Sequence, residues 1–521
     1  MSLPGVPTLL STKATYDAAA RLVAQTSEAG MFTNTYCTWS GGLESVSNSS
    51  LTASYASDIL DRVTNITYKT ASGEPMRSFT YAYDFSGMIT QKVDMAAGSC
   101  VTNVYAYDGL GRLLSESTTQ SGNETVKQFT YDLAGNRLSE AVNGVTNIYT
   151  YGIGNRLSSV SDGTGYTHDN AGNVSRIVRN GTTLDLVWNL QGQLLAVTNN
   201  GVLAESYTYD PLGRRLSTTT GGATVFHAYN GVQCIADLDA SANLLRSYTW
   251  GQGIDNLLAM TVYTTGITNT FYAVKDHLGS VQALVNVSGS VVESYTYDAY
   301  GNTTILSSDL SPLTSSQLGN RYLFQGREYS SATSLYNFRA RWYDSQTGRW
   351  LSNDPIGISG GLNLYAFCNN DPVNFRDPMG LCKEKKLLDG EAEAQKYVSD
   401  LWRDRFKLLN LARHADSAGL YDWSTDENRD LKGNERETYA FRGYKLNGPQ
   451  QGNVDAAYAF TRVFDPLTGV AVSLGVESLT FFQGASNWEE AKGSFAANWI
   501  GIKEGTKDNV REFLGRRRLL P

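Results

Sequence analysis

The sequence predicts a mainly β protein, built from hairpins stacked into one continuous sheet and followed by a small, mostly α C-terminal unit. Three observations predict it. Tyr-Asp units recur along residues 1–340 with a period in the low twenties, which marks a repeat architecture. The same region is rich in Tyr and Gly and sparse in charge. Charged side chains then make up 42 of the last 140 residues against 52 of the first 381, a rise in density that places a boundary near residue 381.

The clearest units are Tyr83-Asp84-Phe85-Ser86-Gly87, Tyr107-Asp108-Gly109-Leu110-Gly111-Arg112-Leu113, Tyr131-Asp132-Leu133-Ala134-Gly135-Asn136-Arg137-Leu138, Tyr209-Asp210-Pro211-Leu212-Gly213-Arg214 and Tyr297-Asp298-Ala299-Tyr300-Gly301. Asp84, Asp108 and Asp132 are 24 apart, and Asn189, Asp210, Asn230 and Gly251 are 20 or 21 apart. Each unit carries the same local logic. A stretch such as Glu205-Ser206-Tyr207-Thr208-Tyr209 alternates and is rich in β-formers, so it reads as a strand. Asp-x-x-Gly then turns the chain, with Asp capping the turn and Gly supplying positive φ. Arg-Leu begins the returning strand. One hairpin cannot bury its own apolar face, so neighbours must stack.

Composition excludes several classes. The net charge of −8 falls entirely on residues 1–381, which argues against nucleic-acid binding by the repeat region. Five cysteines (Cys37, Cys100, Cys234, Cys368, Cys382) and four histidines are scattered without a CxxC pair, so neither a metal nor a cofactor is expected. No apolar run is long enough to span a membrane. Residues 1–10 lack the basic and apolar regions of a signal peptide, so synthesis in the cytoplasm is expected.

The repeat units resemble the YD repeats of the RHS family. The segment Asp276-His277-Leu278-Gly279-Ser280-Val281 resembles that family's DHLGSV stretch, and residues 321–381 resemble its repeat-associated core. The resemblance covers about three quarters of the chain. It implies a β-strip coiled into a hollow shell around a C-terminal toxin, as in polymorphic toxins and Tc toxin C subunits. The divisions it implies are a repeat shell over 1–320, a core over 321–381 and a variable effector over 382–521. Family shells are usually larger, so an incomplete shell, closed by a delivery or secretion partner, is an expectation too. The implied partners are the C-terminal domain as cargo and an immunity protein, and the implied destination is outside the cell or at its surface.

Within 341–381 the residues suggest chemistry. Asp354 opens Asp354-Pro355-Ile356-Gly357 and Asp377 opens Asp377-Pro378-Met379-Gly380-Leu381. Each alone is a turn. If the segment between them folds back, the carboxyl groups meet, share a proton and titrate as a pair. One can then activate water while the other protonates the scissile carbonyl or the leaving group. The family resemblance implies cleavage in cis after the Leu of DPxGL, here the bond between Leu381 and Cys382. It also assigns catalytic positions to Asp354 and Asp377, with Arg341 and Asp344 as companions. Arg341 would orient a carboxylate, or Arg341 and Asp344 are a structural ion pair; Asp371 is a second candidate for the place of Asp377.

Residues 382–521 read as helical around 391–411, 456–464, 470–482 and 487–505. Their chemistry is not legible. His414 and Arg516-Arg517-Arg518 read best as solvated, and 439–444 resembles an ADP-ribosyltransferase strand only faintly. The leading reading is a self-cleaving RHS-repeat toxin. The alternative is a structural or adhesive YD-repeat surface protein with a partner-binding tail, and a third is a degenerate fragment. Expression of 382–521 alone in bacteria separates the first two: growth arrest favours an effector, harmless accumulation the adhesive reading.

Overall fold

The structure, a computed structural model, describes residues 12–38, 40–96 and 98–381, together with the backbone of two strands, Tyr439–Phe441 and Tyr444–Leu446. Two units divide the chain, Met1–Ala392 and Glu393–Pro521. In the second, the two strands pair antiparallel. The helices expected in the tail, His414, the terminal arginines and Cys382 lie outside the described residues.

In the first unit, 29 strands form one antiparallel sheet in which each strand pairs with the next, from Lys13–Tyr16 to Pro312–Leu313. Among the described residues no pairing joins the last strand to the first, so the strip is open. The mainly β reading holds. No described helix is long and apolar enough to cross a membrane.

The repeat motif builds this strip by local bonds. In Tyr107-Asp108-Gly109-Leu110-Gly111-Arg112, the Gly111 N–H donates to the Asp108 carbonyl (3.0 Å), and Gly111 sits at φ +77°. Asp108 Oδ1 accepts from the N–H groups of Leu110 and Arg112, both at 2.9 Å, while its Oδ2 pairs with Arg112 Nε at 2.6 Å. Arg112 also stacks on Tyr131 of the next unit, 4.9 Å from its ring centre. The tyrosine hydroxyls reach backwards: Tyr83, Tyr107 and Tyr131 donate to the carbonyls of Val63, Ile89 and Leu113 at 2.6–2.7 Å. Each unit thus grips both neighbours, which explains why Tyr, Asp, Gly and Arg recur together.

Strand faces follow the alternation. In Pro75–Tyr83, Phe79 and Tyr81 are buried and Thr80 and Ala82 exposed. Each such buried aromatic stabilises by about 1.5–3 kcal/mol. The strip doubles back on itself. Phe79, Tyr105 and Phe129 from early repeats share one core with Tyr272, Val274, Ala283 and Val285. Lys92–Asp276 (2.8 Å) and Lys127–Asp298 (2.5 Å) ion pairs clamp the two layers. The strand Val281–Val285 is buried throughout because its other face, through Leu284, meets a second core with Tyr336, Phe338, Trp350 and Phe367.

Those aromatics belong to a four-stranded antiparallel sheet, Glu328–Ser330, Leu335–Phe338, Arg341–Asp344 and Arg349–Trp350. Its far side, through Leu335, Trp342 and Leu351, packs on Tyr149, Tyr166, Ile177 and Tyr207 of the middle repeats. Residues 321–381 are therefore wrapped by the strip. They also dock on its turns: Tyr365 Oη donates to Gly172 O (2.6 Å), Asn353 Nδ2 to Ala171 O (2.7 Å) and Arg376 to Ile254 O (3.1 Å).

Candidate functional site

Strand Arg341–Asp344 distributes the expected site residues by its pleat. Positions 341 and 344 differ by an odd number, so their side chains leave opposite faces. Asp344 goes with Trp342 towards the middle repeats. There it is fully buried, accepts from Tyr166 Oη at 2.5 Å and pairs with Arg179 Nη2 at 2.6 Å. Burial acts to raise its carboxyl, but Arg179, the Tyr166 hydroxyl and the Gln346 N–H together outweigh burial and hold it below the usual range. Asp344 anchors the core to the strip, and its ion pair is with Arg179, not Arg341.

Arg341 takes the other face. Its guanidinium carbon lies over Trp350, 4.1 Å from the ring centre, a placement that desolvates it while retaining cation–π attraction. One nitrogen, Nη2, meets both Asp354 Oδ2 (3.0 Å) and Asp377 Oδ2 (3.2 Å). Nη1 donates to Leu364 O at 3.3 Å, and Nε donates to the Gly380 carbonyl. The two turns are intact: Gly357 N–H donates to Asp354 O (2.9 Å) and Gly380 N–H to Asp377 O (3.2 Å). Asp354 Oδ1 accepts from Ile356 N–H at 3.0 Å, and Asp377 Oδ1 from Leu381 N–H at 2.9 Å.

All three charged groups are buried, with Arg341 3%, Asp354 8% and Asp377 2% exposed. Two ionised carboxylates beside one guanidinium leave a net buried negative charge, which is costly; one proton among them makes the cluster neutral. Burial favours it on Asp354. Burial pushes its carboxyl up, and the opposing pull of Arg341 does not cancel this. Burial likewise lowers Arg341, against the pull of both carboxylates.

Leu381 closes the arrangement. The backbone at Gly360 leaves a gap in which a Cβ would sit 3.0 Å from Asp354 Cγ, nearer still to Oδ2, and 3.0 Å from the Leu381 carbonyl oxygen. Carboxyl and carbonyl thus both lie within about 3 Å of the one point that a side chain on Gly360 would occupy. Asp371 stands elsewhere, its Oδ1 accepting from Asn374 N–H (3.2 Å) and Nδ2 (2.9 Å) in a local turn.

Sequence reasoning missed Gln325. It is buried at φ +54°, its Oε1 accepts from Asp377 N–H (3.3 Å), and its Nε2 donates to Phe375 O (3.1 Å). It fixes the Asp377 turn from a distant segment, and nothing in its residue type signals that. Also unexpected is a buried group of His227, Cys234 and Asp237. Asp237 Oδ2 already takes Arg246 (3.0 Å) and Arg321, so guanidinium charge fills the place a cation would take.

An antiparallel strip of YD hairpins wrapped around an aromatic core defines a YD-repeat shell of the RHS type, and known proteins agree. The sequence profile of the family described as Teneurin YD-shell matches residues 5–373, and the chain belongs to that family. It is 32% identical over 259 residues to the tRNA3(Ser)-specific nuclease WapA of Bacillus spizizenii, a match covering 44% of this chain and 11% of the relative. It is 27% identical over 265 residues to toxin subunit YenC1 of Yersinia entomophaga, covering 45% of this chain and 26% of that one. The aligned part thus spans about a tenth of the first relative's length. Among solved structures, the Tc holotoxin pore of Photorhabdus luminescens superposes with a TM-score of 0.57 at 20% identity, over 73% of this chain and 22% of that one. The TcdB2-TccC3 complex gives a TM-score of 0.53 at 19% identity, over 71% of this chain and 22% of that one. These likenesses establish an RHS/YD-repeat, toxin-like protein.

Proposed function

We propose that this chain is the shell and self-processing part of a toxin, and that it cuts itself between Leu381 and Cys382. The observation that carries the reading is the single Arg341 nitrogen holding Asp354 and Asp377 next to Leu381. Asp354, protonated, donates to the Leu381 carbonyl oxygen and draws electron density from its carbon. The Asp377 carboxylate takes a proton from water, and the resulting hydroxide adds to that carbon. Collapse of the tetrahedral intermediate breaks the C–N bond as a carboxyl proton passes to the Cys382 nitrogen. The products are a Leu381 carboxyl group and a Cys382 amine. Arg341 stays cationic throughout and balances the one carboxylate charge. Each proton-transfer role is worth about 10²–10⁴-fold.

In this reading residues 382–521 are the effector cargo, matched by an immunity protein in the producing cell. The open strip is completed by a partner subunit during delivery out of the cell. Support comes from the open sheet and from the solved neighbours, which include the TcdB2-TccC3 complex. Denaturing mass analysis of the purified chain tests the cleavage. Wild type should give fragments of 381 and 140 residues, and Asp354→Asn should stay whole. An intact wild-type mass of 56.9 kDa refutes self-cleavage.

A further inference from the structure

Three glycines lie close together in the loop that faces Leu381, and they differ in what they need. Gly357 sits at φ +62° with nothing near the position of a Cβ, and Gly361 at φ +140°; both are required by the backbone. Gly360 is not in a positive-φ conformation, so any residue fits its backbone. What it lacks is room. A Cβ there would lie 3.0 Å from Asp354 Cγ, inside normal contact with Oδ2, and 3.0 Å from the Leu381 carbonyl oxygen. The absent side chain is the space across which carboxyl and carbonyl approach.

We infer that Gly360 is a positioning residue for self-cleavage: its missing side chain lets the Asp354 carboxyl reach the Leu381 carbonyl, and any larger residue separates them. The inference rests on the self-cleavage reading above. A methyl group at 360 is met first by the Asp354 carboxyl, the mobile end of a side chain. That group turns aside, away from Leu381 and towards the exposed loop at Ile358 and Ser359. The cost to the fold is bounded by the loss of the Asp354–Arg341 contact and a small shift of the Leu381 carbonyl, the two groups that the methyl meets. The reaction loses its proton donor at the carbonyl, and a shift of this size costs about 10²-fold in rate.

The test compares Gly360→Ala, Ile358→Ala and Asp354→Asn in the full chain, following conversion of intact chain to fragments after pulse labelling in a cell-free extract. Ile358 is 76% exposed and serves as the loop control. The expected result is wild-type cleavage for Ile358→Ala, none for Asp354→Asn, and cleavage about 10²-fold slower for Gly360→Ala with a melting temperature no lower than that of Asp354→Asn. A structural role alone would not move the pH profile. Here, the fall in the Gly360→Ala rate with rising pH should come at lower pH than in wild type, because a carboxyl turned towards solvent loses the burial that raises it. Wild-type cleavage of Gly360→Ala beside an uncut Asp354→Asn overturns the inference and spares the self-cleavage reading. So does slowing matched by a fall in melting temperature with no change in pH profile. Normal cleavage of Asp354→Asn removes the self-cleavage reading and this inference with it.

Discussion

The turn that closes each repeat hairpin and the turn that ends at Leu381 are the same structure with different electrostatics. In both, the glycine N–H donates to the aspartate carbonyl, at 3.0 Å for Gly111–Asp108 and 3.2 Å for Gly380–Asp377. In both, the N–H four residues on donates to aspartate Oδ1 at 2.9 Å, from Arg112 and from Leu381. They part at Oδ2. Asp108 gives it to Arg112 of its own turn, whereas Asp377 faces Leu381 there and gives it to Arg341, which also holds Asp354. The repeat turn closes on itself and is inert. The site turn is left open, and its free valence is used to gather a second carboxylate. The Arg112 turn and the Leu381 turn thus differ in the residue four after the aspartate and in burial.

The largest expected effect separates the two arginines. Arg341→Gln leaves two buried carboxyl groups without their cation, so the chain should remain uncut and lose about 3–5 kcal/mol of stability. Arg112→Gln, in a partly exposed pair, should cost under about 1 kcal/mol and leave cleavage intact. Denaturant midpoints and fragment yields read both. Equal losses for the two variants would end the distinction between inert and working turns.

Next in size is a conversion of one turn into the other. Leu381→Arg supplies the missing arginine, which can reach Asp377 Oδ2 as Arg112 reaches that of Asp108 and draw it from Arg341. Cleavage should slow by at least about 10²-fold, while Leu381→Met, of similar size and uncharged, should be cut like wild type. Rapid cutting of Leu381→Arg would show that position 381 is not what keeps the turn open.

The repeat turns were legible in the sequence because their whole logic is local: Asp84, Gly87 and the strand alternation of Pro75–Tyr83 lie within a dozen residues. The pairing of consecutive strands follows directly. The layering was not legible. Burial of Val281–Val285 on both faces depends on Phe79 and Tyr105 from far upstream and on Phe338 from downstream. At the site, Asp354, Asp377 and Arg341 were marked by motif. Asp344 carries the same mark, but strand pleat sends it to Arg179. Gln325 and the gap at Gly360 carry no mark, since one acts through backbone bonds from a distant segment and the other by having no side chain.

The smallest effect is in pH, and its sign differs between the two turns. Burial acts to raise Asp108, but the N–H groups and guanidinium of Arg112 outweigh it and hold its carboxyl below the usual range. Its stabilising contribution is therefore complete above the unfolded carboxylate range and is lost as pH falls through the lowered value. Asp108→Asn should melt lower than wild type at neutral pH, by an amount corresponding to about 0.5–1 kcal/mol, and the gap should close on acidification. Asp354 runs the other way, because burial raises it. Its protonated, proton-donating form persists above the usual carboxyl range and is lost as pH rises through the raised value. Cleavage of freshly made wild-type chain should accordingly slow as the buffer is made more basic, over a range where the Asp108 contribution is constant. A cleavage rate that instead rises with pH would mean that Asp354 works as a carboxylate and that the proton sits on Asp377.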